Sequence, residues 1–212
     1  MRKTLLALFL ALSLTLGLAA CGSTPAPEAD NAASDSAPSE STPQTEASGG
    51  VLVAYFSATG NTEGVAQQLA GLLSADLYAI TPAEPYTEAD LDYTNPNSRS
   101  QVEGSDPDAR PALAGEALDL TGYDTIFLGY PIWNGQAPKL LSTFLETYDC
   151  TGKTIVPFCT SGSSPIGGSA SGLEALTSGA TWLDGQRFSG SASQETVSQW
   201  VDSLGLALGQ AA

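Results

Sequence analysis

The stretch that decides the fold is VLVAYFSATGNTEGVAQQLA, residues 51–70. It opens with an apolar run, rich in valine and aromatic residues, that predicts a buried strand. Val65 and Leu69 then recur at helical spacing and predict a helix. Between strand and helix lies the hydroxyl-rich loop Ser57-Ala58-Thr59-Gly60-Asn61-Thr62. Because the first amides of a helix have no partner within it, this arrangement offers a seat for a phosphate group.

The remaining apolar segments alternate between strand and helix patterns. Further strands are predicted at Asp76–Ile80, Thr125–Gly129, Thr154–Phe158 and Thr181–Leu183. Helices are predicted after the first strand, from Pro138, over Gly167–Ser178, and after Ser193, which is placed to cap the last one. The alternation predicts an α/β fold, in which a doubly wound, five-stranded parallel sheet of order 2-1-3-4-5 carries helices on both faces.

Residues 1–20 have the pattern of a secretory signal peptide. Arg2 and Lys3 precede an apolar segment, and LAAC at residues 18–21 resembles the lipobox of bacterial lipoproteins. We therefore expect signal-peptide removal, lipidation of Cys21, and a mature protein that is extracytoplasmic and anchored to the membrane. An uncleaved transmembrane anchor is the alternative.

Residues 21–50 are expected to form a disordered linker after the lipidated cysteine. This segment consists of Ser, Thr, Ala, Pro, Gly, acids and a few other polar residues, with no basic or aromatic residue after Cys21. It cannot bury enough apolar surface to offset the entropy lost on ordering. The predicted folded domain is 51–212.

The charge is strongly acidic, with a formal net charge of −16 for the chain and −13 for residues 51–212. Such a surface argues against a nucleic-acid partner. It serves either solubility alone or docking to a basic redox partner. The chain has no histidine, which argues against a catalytic triad or a zinc site. A strand separates Cys150 from Cys159, so we expect two free, buried thiols rather than a disulfide.

Three loops follow neighbouring strands at their carboxyl ends, where doubly wound sheets bind ligands. The first is the hydroxyl-rich loop, the second is YPIWNGQAP at 130–138, and the third is CTSGSSPIGGSAS at 159–171. The first suits a phosphate, the second offers the flat ring of Trp133, and the third offers glycines and serines to a polar ring edge. Together these features describe a site for flavin mononucleotide (FMN).

The three loops resemble those of the flavodoxin family, and in particular a bacterial flavodoxin-like lipoprotein subfamily. The resemblance implies non-covalent FMN binding. It assigns the phosphate to the first loop through Ser57, Thr59, Asn61, Thr62 and the Gly60 amide, with Ala58 between them. It assigns the flavin ring to Pro131, Ile132, Trp133, Asn134 and Gly135. The ring edge falls to Thr160, Ser161, Gly162 and Ser163.

One departure from the family pattern bears on function. Dedicated electron carriers of this family usually stack a tyrosine of the third loop on the flavin, whereas this loop has Ser163, Ser164 and Pro165. One ring face is therefore expected to be open. The protein is either an electron carrier or an FMN-dependent oxidoreductase that reduces a small acceptor. A lipid-anchored binding module that no longer uses flavin is the alternative.

Residues 81–111 break the strand–helix alternation. They hold five prolines and many acids, and we expect a short helix near Ser98–Glu103 and a position over the site. Arg99 and Arg110 in this segment have two interpretations. They bind an anionic substrate, or they pair with nearby acidic side chains.

Overall fold

The computed structural model describes residues 49–115 and 117–206. The expected signal peptide, Cys21 and nearly all of the expected linker lie outside these ranges. Within them, no helix is both long and apolar enough to cross a membrane.

The described residues contain eight strands, five α-helices and one 3-10 helix. The strands are β1 Gly50–Tyr55, β2 Asp76–Ala79, β3 Thr81–Pro82, β4 Leu113–Ala114, β5 Tyr123–Pro131, β6 Thr154–Thr160, β7 Thr181–Trp182 and β8 Gln186–Phe188. The helices are α1 Asn61–Leu73, α2 Arg99–Ser105, α3 Lys139–Thr147, α4 Gly167–Glu174 and α5 Gln194–Ser203, with the 3-10 helix at Ala89–Leu91.

The main sheet has the order β2-β1-β5-β6-β7, and β8 also pairs with β6. All of these pairs are parallel. The predicted α/β fold and its 2-1-3-4-5 order are therefore confirmed. The fifth position differs in detail, because the two short strands β7 and β8 share it. The sequence pattern predicted β7 and missed β8.

Pro157 explains the division of that edge. The carbonyl of Ile155 accepts a hydrogen bond from the amide of Leu183, so the backbone groups of Ile155 point towards the edge strand. The backbone groups of Pro157, two residues later, point the same way. Proline has no amide hydrogen to donate there. The partner chain leaves the ladder at this point, and Gly185 lies so close that an added Cβ would sit 2.7 Å from the Pro157 carbonyl oxygen. Pairing resumes at Gln186.

Two apolar layers cover the two faces of the sheet. On one face, α1 and α5 pack against the strands through Val65, Leu69, Val197 and Trp200. On the other face, α3 and α4 pack through a second set, which includes Leu141, Phe144 and Leu173. Fully burying each such side chain contributes about 1.5–3 kcal/mol. Ser193 caps α5 as predicted, because its hydroxyl accepts the amide of Thr196.

Residues Thr81–Ala114, called the excursion below, form a small substructure of their own. Its ends pair as the antiparallel strands β3 and β4, and between them lie the 3-10 helix and α2. The predicted short helix is confirmed, with Ser98 as its N-cap. Both arginines pair with acids in this structure. Arg99 lies 2.6 Å from Glu103 and Arg110 lies 2.7 Å from Glu146.

Cys150 and Cys159 are free and buried, which confirms the expectation of two separate thiols. Burial raises the pKa of Cys159 to about 12 and also raises that of Cys150. Both thiols are therefore held protonated and inert near neutral pH.

Candidate flavin site at the carboxyl edge of the sheet

A cavity of about 350 Å³ lies at the carboxyl ends of β1, β5 and β6. It is bounded by the first loop, by the ends of β5 and β6 with the loops that follow, and by the segment after β8. No charged side chain is among its lining residues, which are Ser57, Ala58, Thr59, Asn61, Thr62, Pro131, Ile132, Trp133, Thr160, Ser161, Gly162, Ser189 and Gly190.

The first loop delivers the N-terminus of α1 to this cavity. Gly60 is the N-cap and has φ 84°, a left-handed conformation that suits glycine. It turns the chain from the loop into the helix, whose first amides lack intrahelical acceptors. Asn61 donates its side-chain amide to the Thr59 hydroxyl over 3.2 Å. The loop thus gathers amide and hydroxyl donors without a basic side chain.

Ser57 is the strongest candidate for a direct contact to a ligand. Its hydroxyl oxygen is buried and has no hydrogen-bond partner among the described residues. Leaving a buried hydroxyl unpaired costs about 1–3 kcal/mol. Because Ser57 lines the cavity, a ligand with an acceptor oxygen would remove that cost.

Thr62 and Thr160 join the start of α1 to the end of β6. Both are almost fully buried, and their hydroxyl oxygens are 2.7 Å apart. Thr62 belongs to the first turn of α1, whereas Thr160 ends β6 rather than lying in the loop as predicted. A pair of hydroxyls has two hydrogens and uses one between them. The other is available to a ligand.

The second loop is a tight hairpin. Trp133 and Gln136 exchange two backbone hydrogen bonds of 2.9 Å, and between them Asn134 and Gly135 have φ 51° and φ 80°. Positive φ at both central residues defines a type I′ turn, for which Asn-Gly is the preferred sequence. Sequence reasoning did not use this signal. The turn lifts Asn134 and Gly135 to an exposed tip, outside the cavity wall.

Trp133 stands between the hairpin and the cavity. Its ring makes edge-type contacts with Phe56, at a centroid distance of 5.4 Å, and with Tyr86, at 5.0 Å. These contacts hold the indole in place where it lines the cavity.

Hydrogen bonds to β8 hold the third loop in place. Arg187 donates to the carbonyl of Ser161 over 2.9 Å, and the amide of Ser161 donates to the carbonyl of Phe188. Ser161 and Gly162 line the cavity, whereas Ser163 is exposed and does not. In the protein interior, the hydroxyl oxygen of Tyr130 in β5 lies 3.1 Å from that of Ser169 in α4.

A fourth segment, which sequence reasoning missed, completes the wall. Ser189 and Gly190 follow β8 and line the cavity beside the first loop. Gly190 is packed so closely that an added Cβ would lie 2.6 Å from the side-chain oxygen of Asn61. The sequence pattern did not predict this segment, because the preceding strand β8 is short and mostly polar.

The structure brings most of the predicted site residues to one cavity. The exceptions are the N-cap Gly60, the hairpin tip of Asn134 and Gly135, and the exposed Ser163. The excursion lies beside the site rather than over it. Tyr86 packs on Trp133, Gln101 accepts a 2.8 Å hydrogen bond from Asn134, and no excursion residue lines the cavity.

A family model described as flavodoxin matches residues 50–204. The chain belongs to the flavodoxin family. No curated protein sequence matches the chain.

Solved structures give the same relationship. A Bacteroides uniformis protein assigned as a flavoprotein is 46% identical, with a TM-score of 0.70, over 73% of this chain and 98% of its own. A second, from Bacteroides eggerthii, is 43% identical with a TM-score of 0.70, over 74% of this chain and 99% of its own. A flavoprotein of Lactobacillus acidophilus, solved in complex with FMN, is 21% identical with a TM-score of 0.55, over 72% of this chain and 99% of its own. That third likeness concerns the fold.

Proposed function

We propose that this flavodoxin-family protein binds FMN non-covalently and serves in electron transfer or in the reduction of a small acceptor. The observation that carries the proposal is the unpartnered, buried hydroxyl of Ser57 beside the N-terminus of α1. That position calls for an acceptor group, and the helix dipole favours one with negative charge. The phosphate of FMN meets both requirements.

The other residues of the cavity fit the rest of the ligand. Thr59, Asn61 and Thr62 would hold the phosphate with Ser57 and the amide after Gly60. Pro131, Ile132 and Trp133 offer an apolar wall to the isoalloxazine ring. Thr160, Ser161 and Gly162 present polar groups at its edge. A Lactobacillus acidophilus flavoprotein of the same fold was solved in complex with FMN, which supports the choice of ligand.

Bound FMN supplies electron and hydride chemistry, and the protein sets access and reduction potential. The lining residues are uncharged, and the chain carries a formal net charge of −16. Such surroundings disfavour a gain of negative charge on the cofactor and so lower its potential. The third loop presents Ser161 and Gly162 to the cavity rather than an aromatic ring, which leaves room for a reductant or a small acceptor.

A basic redox partner is the protein partner that the charge favours. The excursion, residues 81–114, carries seven acidic and two basic residues, and both bases are paired with acids. Two of its apolar side chains are exposed, Tyr93 at 77% and Val102 at 52%. We propose that the basic partner docks on the excursion, next to the hairpin of the second loop.

We further propose that the domain works outside the cytoplasmic membrane, tethered through lipidated Cys21. The support is the LAAC sequence at residues 18–21 and the acidic, Ser/Pro-rich segment after it. The test is a Cys21→Ala variant in a bacterial host. It should lose membrane association or accumulate unprocessed. Normal processing with unchanged membrane retention would refute lipidation.

The function itself is tested by titrating the purified full chain with FMN and, in parallel, with riboflavin. A flavin absorption spectrum that remains with the protein, and tighter binding of FMN than of riboflavin, are expected. Equal affinity for the two would contradict the phosphate seat. Failure to bind either would favour the alternative, a lipid-anchored binding module that no longer uses flavin.

A further inference from the structure

Tyr86 belongs to the excursion, yet its ring packs against Trp133 of the flavin site. The centroids are 5.0 Å apart and the ring planes meet at 74°. Phe56, at the end of β1, contacts both rings, at 5.8 Å from Tyr86 and 5.4 Å from Trp133. The indole is therefore held by one aromatic partner from the sheet and one from the excursion.

Tyr86 is itself anchored on its far side. Its hydroxyl donates to one carboxylate oxygen of Glu103, and Arg99 donates to the other over 2.6 Å. The Arg99 guanidinium also lies 4.0 Å from the centroid of the Tyr86 ring and donates to the carbonyl of Glu84 over 2.8 Å. These bonds tie Tyr86 to α2, so the ring cannot move without disturbing an ion pair.

A second link joins the excursion to the same loop. The side-chain amide of Asn134 donates to Gln101 over 2.8 Å, and Gln101 in turn donates to the carbonyl of Tyr93 over 2.7 Å. Consecutive residues of the hairpin, Trp133 and Asn134, are thus both held from the excursion.

We propose that the excursion is a positioning element and that Tyr86 sets the plane of Trp133 against the flavin ring. The inference rests on the proposed function, since it concerns the ring half of the same FMN site. Tyr86 does not line the cavity, so it acts through Trp133. Its influence should reach the isoalloxazine ring and leave the phosphate seat untouched.

The test compares three variants of the full chain by FMN affinity, riboflavin affinity and the emission of bound flavin. Tyr86→Leu removes the ring, Tyr86→Phe keeps it, and Tyr123→Leu changes a tyrosine at the amino-terminal end of β5, away from the cavity. Tyr86→Leu should weaken FMN and riboflavin by a similar factor, about three- to tenfold. Bound-flavin emission should rise, because a displaced indole quenches less. Tyr86→Phe should show a smaller change in the same direction, because it keeps the ring and loses only the anchor to Glu103. Tyr123→Leu should stay close to the parent.

The two ligands separate this inference from the proposed function. Parent protein that binds FMN, together with a Tyr86→Leu variant of unchanged affinity and emission, overturns the positioning role alone. Loss of FMN affinity without loss of riboflavin affinity also overturns it, because the effect would then come from the phosphate seat. Parent protein that binds no flavin removes the proposed function as well. If Tyr86→Leu does not fold, Glu103→Gln releases the same ring more gently, and unchanged emission there again contradicts the inference.

Discussion

The hydroxyl oxygens of Thr62 and Thr160 lie 2.7 Å apart and join the first turn of α1 to the end of β6. Both residues are buried, so removing one hydroxyl leaves the other unpaired. Thr62→Val and Thr160→Val should each lower the free energy of unfolding of the flavin-free protein by about 1–3 kcal/mol. The double variant should recover much of that loss. Chemical denaturation of the three variants measures the coupling, and simple additivity would disprove it.

The same pair bears on ligand selectivity. Thr62→Val should weaken FMN by about 1.5–3 kcal/mol, as expected for a hydroxyl bonded to a charged acceptor, and leave riboflavin almost unchanged. Parallel titrations with the two flavins check this. The double variant should regain stability without regaining FMN affinity, and equal losses for both ligands would exclude a role at the phosphate.

Ser57→Ala should act in opposite directions on the free and the bound protein. Without ligand, the buried hydroxyl has no partner among the described residues, so its removal should leave stability unchanged or raise it. With FMN, the lost bond should weaken binding by about 1.5–3 kcal/mol. Thermal unfolding with and without FMN measures both effects. Ser163→Ala, an exposed residue outside the cavity wall, is the matched control and should change neither. A fall in the stability of ligand-free Ser57→Ala would show that the hydroxyl already has a partner.

Gly190→Ala should disturb the phosphate seat through Asn61. The new Cβ would lie 2.6 Å from the Asn61 side-chain oxygen, which forces that side chain to move. FMN affinity should fall, and an Asn61→Gly background should relieve most of the effect of the alanine. Gly64→Ala, in the same region, meets no atom within 4 Å. It should stabilise α1 by about 0.5–1 kcal/mol without loss of FMN. Equal FMN titrations for Gly190→Ala and the parent would remove Ser189–Gly190 from the site.

Reduction by dithionite without oxygen tests the open ring face. If a two-electron reductant can approach the flavin, the spectra should keep their isosbestic points throughout, because only oxidised and fully reduced cofactor accumulate. A further absorbing form that persists at intermediate stages would instead identify a one-electron carrier.

The two buried thiols predict a pH dependence. Burial raises the pKa of Cys159 to about 12, while an unfolded thiol titrates near 8.5. The raised value favours the folded state most below the unfolded pKa, and this contribution is lost as pH rises towards 12. The free energy of unfolding should therefore fall between about pH 9 and 12, and less so in Cys159→Ala. Thiol reagents at pH 8 should modify Cys150 and Cys159 only after denaturation, and rapid labelling of the native protein would contradict their burial.

The sheet and the three loops could be predicted because their signals are local. The apolar run of β1, the spacing of Val65 and Leu69, and the hydroxyl-rich loop between them determine a strand, a helix and a ligand seat within twenty residues. The predicted strand at Thr125–Gly129 was too short at both ends, since β5 extends to Tyr123 and Pro131. Its polar and proline ends carry no apolar pattern.

What could not be predicted depends on contacts between distant segments. The strand β8 has three residues, Gln186–Phe188, and gains its conformation from pairing with β6. The place of Gly190 beside Asn61, and of Tyr86 on Trp133, follows from tertiary packing alone. The Asn134-Gly135 hairpin is different, because its dipeptide is a recognisable turn signal that was available in the sequence.

The proline in β6 has a consequence for association between molecules. An unbroken strand at the rim of a sheet exposes a row of free amides and carbonyls on which another chain can extend the sheet. Here Pro157 divides the rim into a two-residue and a three-residue strand, each too short to template a neighbour. The lipid anchor proposed above would concentrate the protein on a membrane, where its copies would meet often. The missing amide hydrogen of one proline thus protects this rim against edge-to-edge aggregation.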